Sequence, residues 1–362
     1  MEIKQICDIF RIKGELKEYS AIKTGNINKT YKVTYEDNGK TFDYIVQDIN
    51  KFVFKAPEHI MENIKGVTEH ISKKYDEQES EKYVLDFLQT EDGVNFFIDD
   101  DDRFLRAYRF IPRSVTYDTF DDLGVLENAG AAFGRFQMQL ADFDASSLHE
   151  IIPNFHNTAS RYEALEASAS KDICGRLEEV KELYDALISN KDTATSLVKM
   201  LSDGSIPLRV THNDTKCNNV LFDFETGEPL AVIDLDTVMP GLTAYDFGDA
   251  IRFAANTAQE DEPDLSLVGL DLKKYEAFTA GFVKQTSSAM TEQELETLYL
   301  GPIVMALELA ARFLTDYLDG DKYFKCNYEK HNLVRAKCQA HLAMDMIGKA
   351  EITKQIIKKY AK

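Results

Sequence analysis

Three short segments with strand character, set around a polar loop, constrain this chain more than any other part of its sequence. Residues 208–211 and 220–222 flank the loop, and a turn then leads into the apolar run 230–233, which ends at Asp234. Runs of this length bounded by turn residues predict short strands. In a hairpin, the start of the first strand lies beside the end of the second. We therefore expect Asn219 and Asp234 to lie at neighbouring strand ends.

The loop carries a residue pattern that suits phosphoryl transfer. Its polar side chains are His212, Asp214, Lys216 and Asn219. This chemistry needs a carboxylate that accepts the proton of the attacking hydroxyl, and oxygen ligands that hold magnesium against the phosphates. We predict that Asp214 is the base and that Lys216 approaches the transferred phosphoryl group. Asn219 and Asp234 are then the metal ligands. A plain loop, with Asp and Asn as turn residues, explains the complete pattern less well.

Other polar residues near this pattern have more than one interpretation. His212 either fixes the shape of the loop through hydrogen bonds or transfers a proton, and we favour the structural role. Asp236 would share a face with the metal aspartate if the strand continued, so it is a reserve metal ligand. Asp246 opens the tripeptide that binds magnesium in protein kinases, but no strand ends there. We expect it to form a structural charge network with Asp249 and Arg252.

Composition and charge narrow the classes of partner. The formal net charge of −20 argues against nucleic acid and anionic membrane surfaces, because both attract basic proteins. The five cysteines are scattered and include no C-x-x-C pair, which favours reduced thiols and a cytoplasmic location. Residues 1–20 lack the apolar core of a signal peptide, and no apolar run is long enough to predict a transmembrane helix. We expect neither nucleic acid nor a membrane as a partner.

The order of strand and helix patterns predicts an α+β fold with two lobes. Residues 1–112 combine strands, an Asn-Gly turn within 36–39 and a helix that begins at Pro57. Residues 113–362 are mostly helical apart from the strands around the polar loop, and small residues at 130–134 predict a close approach of another element. We therefore expect a strand-rich N-terminal nucleotide-binding lobe and a larger helical C-terminal lobe for catalysis and substrate binding.

Longer stretches carry a resemblance to a known group of enzymes. They are residues 212–219, 232–241 and 245–252, with shorter segments at 46–50, 61–64, 108–111, 153–158 and 308–317. The chain resembles the aminoglycoside phosphotransferase and choline kinase superfamily, and within it the N-acetylhexosamine 1-kinases most closely. The resemblance implies a protein-kinase-like fold, ATP and Mg²⁺ as cofactors, and the catalytic roles given above. It also implies that Tyr108, Phe110 and Ile111 form the hinge that meets adenine.

One nucleotide contact usual for this fold is missing from the third strand. Such kinases place a lysine there to hold the α- and β-phosphates, whereas this chain has Gln47. Gln47 can donate hydrogen bonds without the charge, and Lys51 or Lys55 are alternative cations. Glu62, on the following helix, loses its usual partner. The loop at 25–30 holds a single glycine and so departs from a Gly-rich phosphate loop.

A helix predicted over 302–318, with one histidine outside it, supplies the candidate substrate residues. Its polar side chains, which fall on one face, are Glu308, Arg312, Thr315 and Asp316. A solvent-exposed stripe with ion pairs is the alternative interpretation. The resemblance implies a sugar-binding face, with the anomeric hydroxyl of N-acetylglucosamine or N-acetylgalactosamine as the acceptor. The predicted substrate ligands are Arg312, Asp316, Tyr317 and His156, together with the base Asp214.

Two other functions agree with parts of the sequence. The net charge of −20 suits a cationic acceptor such as an aminoglycoside or choline, although an arginine in the pocket argues against a cation. The missing strand lysine suits a nucleotide-binding pseudokinase, whereas the complete set of Asp214, Asn219 and Asp234 favours an active enzyme. The leading prediction is an ATP- and magnesium-dependent phosphotransferase that acts on a sugar hydroxyl.

Overall fold

The computed structural model describes residues 2–22, 28–117 and 121–361. The chain divides into two compact units, each built from several segments. The first comprises Met1–Thr116, Asp142–Ile152 and Leu221–Met239; the second comprises Tyr117–Ala141, Pro153–Val220 and Pro240–Lys362. An antiparallel sheet dominates the first unit and helices dominate the second, which confirms the predicted α+β class. A functional division at residue 112 stays a prediction.

The main sheet of the first unit has five antiparallel strands in the order β1-β2-β3-β5-β4. Their bounds are β1 Glu15–Ile22, β2 Lys29–Asp37, β3 Lys40–Ile49, β4 Phe97–Ile98 and β5 Phe104–Arg109. The predicted turn joins β2 to β3 through Asn38 and Gly39, whose φ angles of 50° and 74° are typical of a tight hairpin. Strands β3 and β5 pair so that Gln47 lies opposite Arg106.

Three helices accompany this sheet: α1 Ile3–Ile9, α2 Pro57–Ser72 and α3 Glu77–Tyr83. Helix α1 buries Ile6 and Cys7 against Val33, Val46 and other apolar residues of the sheet. Helix α2 has proline in its first turn, as predicted, and its apolar positions at helical spacing are buried. Burial of that face holds α2 in one orientation, which also fixes the direction of its polar side chains.

Short strands form two small sheets around the predicted polar loop. They are β6 Ser114–Val115, β7 Arg209–Thr211, β8 Val220–Asp223, β9 Pro229–Val232 and β10 Met239–Gly241, in the orders β6-β8-β9 and β10-β7. The three predicted strands are therefore present as β7, β8 and β9. Asp234 follows β9 in the left-handed region, with φ of 59°, and the chain then makes a 3-10 turn over Leu235–Thr237.

The second unit contains eleven helices among its described residues. Their bounds are α4 Leu123–Gln139, α5 Thr158–Lys171, α6 Lys181–Ser189, α7 Lys191–Ala194, α8 Ser196–Ser202, α9 Thr243–Ala254, α10 Leu272–Thr286, α11 Glu292–Thr297, α12 Leu300–Leu318, α13 His331–Gly348 and α14 Ala350–Tyr360. Helices α4 and α10 are in backbone contact: a Cβ atom at Gly130 would lie 2.2 Å from the carbonyl oxygen of Phe278. This contact confirms the close approach predicted for residues 130–134.

Helix α12 lies in the core of the second unit, and nearly all of its residues are buried. The polar face of this helix includes Glu308, which is fully buried, and Asp316, which is 5% exposed. A solvent-exposed stripe is therefore excluded, and these groups need partners inside the protein. Among the described residues, no helix has the length and apolar character needed to cross a membrane. All five cysteines are unpaired.

Candidate active site

The loop between β7 and β8 is held in shape by buried polar contacts within the second unit. The backbone N–H groups of His212 and Asn213 donate to the carboxylate of Asp246 at 2.9 and 2.8 Å. Asn213 adopts a left-handed conformation with φ of 63°. The Asp246 backbone carbonyl accepts from the Thr215 hydroxyl at 2.6 Å. One residue of α9 thus orders the first half of the loop.

His212 has the surroundings of a structural residue. Its ring is fully buried and packs edge-on against Phe133 and Phe136 of α4, with centroids 5.7 and 5.9 Å apart. Its Nδ1 accepts from the backbone N–H of Asp214 at 3.3 Å. A ring packed by two aromatic side chains and bonded to its own loop holds the position of Asp214, which supports the structural interpretation.

The carboxylate of Asp246 belongs to the interior of the unit. It accepts from Gln137 Nε2 at 2.6 Å in addition to the loop N–H groups. Burial raises the pKa of Asp246, and the charge of His212 together with these hydrogen bonds opposes that effect. Asp246 therefore has a structural role, as predicted, but its carboxylate binds the loop and Gln137, whereas Asp249 and Arg252 pair with each other at 3.0 Å.

The proposed base, Asp214, is partly exposed and lies beside Lys216, with Oδ1 and Nζ 3.1 Å apart. The side-chain amide of Asn219 donates to the backbone carbonyl of Asp214 at 2.9 Å, so its amide oxygen is the atom that the metal prediction requires. Burial disfavours the charge on Lys216, but the neighbouring carboxylates of Asp214 and Asp249 raise its pKa above the ordinary value. Lys216 therefore stays positively charged next to Asp214, the predicted base.

The charge of Asp249 interacts with Lys216 of this loop and with His156, a polar residue elsewhere in the same unit. Burial disfavours its ionised form, yet the charges of Arg252, Lys216 and His156 lower its pKa below the ordinary value. Lys216 belongs to the loop between β7 and β8, whereas His156 precedes α5. Both are thus close enough to Asp249 to influence its ionisation.

His156 belongs to a buried cluster around Glu308 of α12. The members of this cluster, which we call the Glu308 cluster, are Glu308, His156, Thr158 and Arg312. Glu308 Oε2 accepts from the Thr158 hydroxyl at 2.8 Å, and Oε1 lies 3.2 Å from His156 Nδ1 and 4.0 Å from Arg312 Nη1. Burial disfavours the Glu308 carboxylate, but the charges of His156 and Arg312 lower its pKa. The buried His156 Nε2 has no hydrogen-bond partner among the described residues.

Two of the predicted substrate ligands have structural partners. Asp316 accepts from the backbone N–H groups of Lys322, Tyr323 and Phe324 at 2.8–2.9 Å, and from Asn332 Nδ2 at 2.8 Å. Four donors use the hydrogen-bonding capacity of one carboxylate, so Asp316 anchors the turn after α12. The Tyr317 hydroxyl donates to Glu179 at 3.0 Å, and Arg176 lies over its ring. The sequence placed Asp316 on the polar face of the helix, but it did not show these partners.

The first unit contains a separate polar network at the position of the missing strand lysine. Gln47 Oε1 accepts from Arg106 Nε at 2.9 Å, and Gln47 Nε2 donates to the Thr30 hydroxyl at 3.2 Å. Arg106 Nη1 lies 2.6 Å from Asp236 Oδ1, and both side chains are almost completely buried. A cation, Arg106 of β5, therefore lies beside the β3 position at which kinases of this fold usually have a lysine.

Asp236 has a second partner in this network. Its Oδ2 accepts from Asn28 Nδ2 at 2.7 Å, while Asn28 Oδ1 accepts from the backbone N–H of Asn50 at 3.0 Å. The carboxylate of Asp236 is thus engaged by Arg106 and Asn28, which makes it an ion-pair partner and displaces it as the reserve metal ligand. Asn28 lies next to residues 23–27 of the predicted phosphate loop, which are outside the described residues.

The alternative lysines have other partners. Lys51 Nζ pairs with Asp102 at 2.5 Å, and Lys55 Nζ lies 4.7 Å from the ring centroid of Phe52. Neither partner belongs to the Gln47 network, so Arg106 is the better candidate for the missing charge. Glu62 also has a new partner, because its Oε2 lies 2.5 Å from Nε2 of His149.

The predicted hinge residues follow Arg106 on β5 and in the next turn. Tyr108 packs against Phe87, with ring centroids 5.1 Å apart. Burial raises its pKa, and the negative charges of Asp234 and Asp236 act in the same direction. Phe110 packs beneath Lys32, whose Nζ lies 4.4 Å from the ring centroid, and Ile111 is buried. These contacts place Tyr108 near the predicted metal aspartate within the first unit.

A model of the phosphotransferase enzyme family matches residues 18–279, which include Gln47 and the complete loop between β7 and β8. The chain belongs to this family.

Among curated proteins, the phosphotransferase is similar to an uncharacterized kinase-like protein of Caenorhabditis elegans, with 32% identity over 91 residues, or 25% of this chain and 22% of that protein. It is also similar to ethanolamine kinase 1 of Mus musculus, with 30% identity over 114 residues, or 30% and 31% of the two chains. The matches span less than a third of either relative.

Solved structures resemble this phosphotransferase over nearly its whole length. An aminoglycoside phosphotransferase from Alicyclobacillus acidocaldarius has a TM-score of 0.61 at 11% identity and covers 99% of this chain and 97% of that chain. An ethanolamine kinase from Plasmodium vivax has a TM-score of 0.55 at 14% identity and covers 95% and 86%. The fold is therefore that of the aminoglycoside phosphotransferases and choline kinases, and the predicted protein-kinase-like class is confirmed.

Sequence reasoning missed several residues of this phosphotransferase that the structure brings into polar contact. They are Asn28, Arg106, Thr158 and Arg161. Arg106 had a usable signal, because an arginine inside the apolar strand Phe104–Arg109 must find a partner when that strand is buried. Thr158 precedes a helical pattern and so resembles a capping residue, which concealed its contact with Glu308.

Proposed function

We propose that this phosphotransferase transfers the γ-phosphate of ATP to a sugar hydroxyl, and specifically to the anomeric hydroxyl of N-acetylglucosamine or N-acetylgalactosamine. The observation that carries the proposal is the Glu308 cluster, in the same unit as the catalytic loop. His156 Nε2 is buried without a partner among the described residues, so it is available to a ligand hydroxyl. A carboxylate, an imidazole and a guanidinium together supply the donors and acceptors that sugar hydroxyls need.

The charge of this cluster supports a neutral acceptor. Burial and the positive charge of Arg312 both lower the pKa of Arg161, while the negative charge of Glu308 opposes them. A quaternary ammonium or aminoglycoside amine would add a positive charge beside two arginines, whose charges the single carboxylate of Glu308 only partly offsets. Sites for such ligands instead use aromatic faces and carboxylates. A sugar avoids that repulsion and can accept hydrogen bonds from both arginines.

The residues of the catalytic loop have the roles that the transfer requires. Asp214 accepts the proton of the sugar hydroxyl as its oxygen forms a bond to the γ-phosphorus, and the bond from that phosphorus to the leaving ADP breaks. Lys216, 3.1 Å from Asp214, stabilises negative charge on the transferred group. His212 and Asp246 position the loop and take no part in proton transfer.

Magnesium and nucleotide ligands complete the proposal. The amide oxygen of Asn219 and the carboxylate of Asp234 are the oxygen donors that Mg²⁺ prefers, and we propose both as its ligands. When bound, the ion neutralises the phosphate oxygens. We propose that Arg106 supplies the positive charge of the usual strand lysine, with Gln47 holding its guanidinium. Tyr108, Phe110 and Ile111 are the proposed contacts for adenine.

A cationic amino alcohol is the second candidate acceptor. Two observations favour it: the net charge of −20, and the similarity to a mouse ethanolamine kinase. The structural neighbours also include a choline kinase from Cryptosporidium parvum, with a TM-score of 0.55 at 12% identity. The likeness to solved structures at such identity shows the fold alone, so the arginines near Glu308 decide our preference for a sugar.

A panel of acceptors tests the proposal directly. N-acetylhexosamines, hexoses, choline, ethanolamine and aminoglycosides are incubated separately with the enzyme, ATP and Mg²⁺, and products are followed by phosphorus NMR. A signal coupled to the anomeric proton of an N-acetylhexosamine supports the proposal. Phosphocholine or phosphoethanolamine without a sugar phosphate would reject the sugar assignment in favour of the second candidate.

A further inference from the structure

Three side chains of the first unit, His59, Glu62 and His149, bring metal-ligating atoms together at a place that the proposed reaction does not use. His59 and Glu62 lie one turn apart on α2 and therefore share a face of the helix. His149 belongs to the segment Asp142–Ile152 of the same unit. One donor atom from each residue lies within 4.8 Å of the other two.

The three side chains are already in contact. The imidazole rings of His59 and His149 are stacked, with centroids 4.0 Å apart and an angle of 7° between their planes. Nε2 of His149 lies 2.5 Å from Oε2 of Glu62. Glu62 is available for this contact because the strand position that usually pairs with it holds Gln47, which binds Arg106 instead.

The backbone that carries His149 is fixed to α2 by a buried amide. Asn63, next to Glu62 on α2, is 2% exposed. Its Oδ1 accepts from the backbone N–H of His149 at 2.9 Å, and its Nδ2 donates to the backbone carbonyls of His149 and Val238, both at 2.8 Å. The third donor is thus held by two hydrogen bonds to the helix that supplies the other two, and a preformed arrangement of this kind favours ligand binding.

We propose that His59, Glu62 and His149 bind one zinc ion, or a similar borderline transition-metal dication, with water in the remaining position. Two imidazoles and one carboxylate form the donor set of zinc sites that keep an open position, whereas magnesium prefers oxygen ligands alone. The side chains of Glu62 and His149 are 62% and 40% exposed, so the solvent side is open to the ion and to water.

The site needs only local adjustment to accept the ion. Ligand atoms about 2.1 Å from a tetrahedral zinc ion lie roughly 3.4 Å from one another. Binding of the ion therefore requires the distance between His149 Nε2 and Glu62 Oε2 to increase and the larger distances between ligand atoms to decrease. Rotation of the side chains allows both changes. A bound ion links α2 to the segment Asp142–Ile152, and we expect it to stabilise the first unit.

The test uses the full chain after treatment with a chelator, with excess Mg²⁺ present so that magnesium sites are filled. We expect calorimetry to show one Zn²⁺ bound per chain, and Co²⁺ to give the visible absorption of a four-coordinate site. His59→Ala, Glu62→Gln and His149→Ala should each weaken binding by about tenfold or more. All three residues are exposed or partly exposed, so their replacement should leave the fold intact. Circular dichroism checks that each variant is folded.

His70→Ala is the matched control, because His70 also lies on α2 and contacts a carboxylate, that of Asp142, at 2.9 Å. It should bind Zn²⁺ as the wild type does. Absence of one-to-one binding would overturn the proposal, as would equal loss of binding in His70→Ala or retention of binding in His149→Ala. The readout is metal binding, so the result is independent of whether the acceptor is a sugar.

Discussion

Arg106 and Asp236 form an ion pair whose two side chains are 2% and 3% exposed, with Nη1 and Oδ1 2.6 Å apart. Gln47 accepts a hydrogen bond from Arg106, and Asn28 donates one to Asp236. A buried pair of this kind contributes little net stability, because removal of both charges from water is costly. Its retention in place of apolar residues agrees with a functional role, which we propose is to hold a nucleotide phosphate.

Replacement of Arg106 by methionine should reduce both stability and nucleotide binding. Loss of Arg106 leaves the buried carboxylate of Asp236 without a counter-charge and is expected to lower the free energy of unfolding by about 3–5 kcal/mol. Affinity for Mg-ADP, measured by calorimetry, should fall by at least about tenfold, corresponding to loss of one charge-assisted hydrogen bond.

The double variant Arg106→Met with Asp236→Leu separates these two effects. It removes both charges, so stability should return to near the wild-type value. Nucleotide affinity should remain low because the cation is still absent. Normal nucleotide affinity in the double variant would mean that the ion pair has only a structural role.

Asp214→Asn should remove most of the turnover and leave nucleotide binding nearly unchanged. The base acts on the acceptor hydroxyl in the transition state, and loss of general-base catalysis is expected to lower kcat by about a hundredfold or more. The measurement combines steady-state kinetics with calorimetry for Mg-ADP. Asp203→Asn, in an exposed turn of the same unit, is the control and should keep full activity. Turnover of Asp214→Asn close to that of the control would remove Asp214 from its role.

Arg312→Ala should raise the KM for the sugar. Its Nη1 lies 4.0 Å from the Glu308 carboxylate, so its guanidinium belongs to the proposed sugar site. Loss of one charged hydrogen bond corresponds to roughly 1.5–3 kcal/mol, or about a 10- to 100-fold increase in KM. Arg335→Ala, which removes an arginine stacked on Phe313 in the same unit, is the control. An equal KM in the two variants, together with lower thermal stability of Arg312→Ala, would show that Arg312 serves packing.

Acid should destabilise the wild-type protein more than Glu308→Gln. The charges of His156 and Arg312 overcome burial and lower the pKa of Glu308 in the folded state. A carboxyl group with a lowered folded-state pKa contributes stability above its unfolded pKa, about 4.3 for glutamate, and loses that contribution as pH falls through the folded pKa. The difference in free energy of unfolding between the two proteins should therefore shrink below about pH 4. A difference that is constant from pH 7 to pH 3 would contradict the proposed charge contacts.

Gly281→Ala should destabilise the second unit. A Cβ atom there would lie 1.9 Å from the backbone carbonyl oxygen of Glu127, so α4 and α10 would have to move apart. Such overpacking typically costs about 1–3 kcal/mol in the free energy of unfolding. Gly348→Ala, also in a helix but with open space around the new methyl group, is the control and should be neutral or stabilising. Chemical denaturation of both variants measures the difference.

Local patterns in the sequence predicted the parts of this molecule that depend on near neighbours. The turn at Asn38 and Gly39, the proline start of α2 and the three strands β7, β8 and β9 follow from backbone preferences and apolar runs. The loop that carries Asp214 and Asn219 was located in the same way. Their roles in catalysis stay predictions that the experiments above can test.

Side-chain partners that are distant in the sequence were decided by the tertiary structure. Arg106 meets Asp236 only because β3 and β5 pair in one register and the turn after β9 lies beside them within the first unit. Asp316 shares a helical face with Glu308, yet its carboxylate binds the turn after α12. Periodicity shows which face a residue occupies, and it carries no information on which distant group meets that face. Close packing of the folded chain makes that choice, so residue type and spacing identified the chemistry and the fold selected the partners.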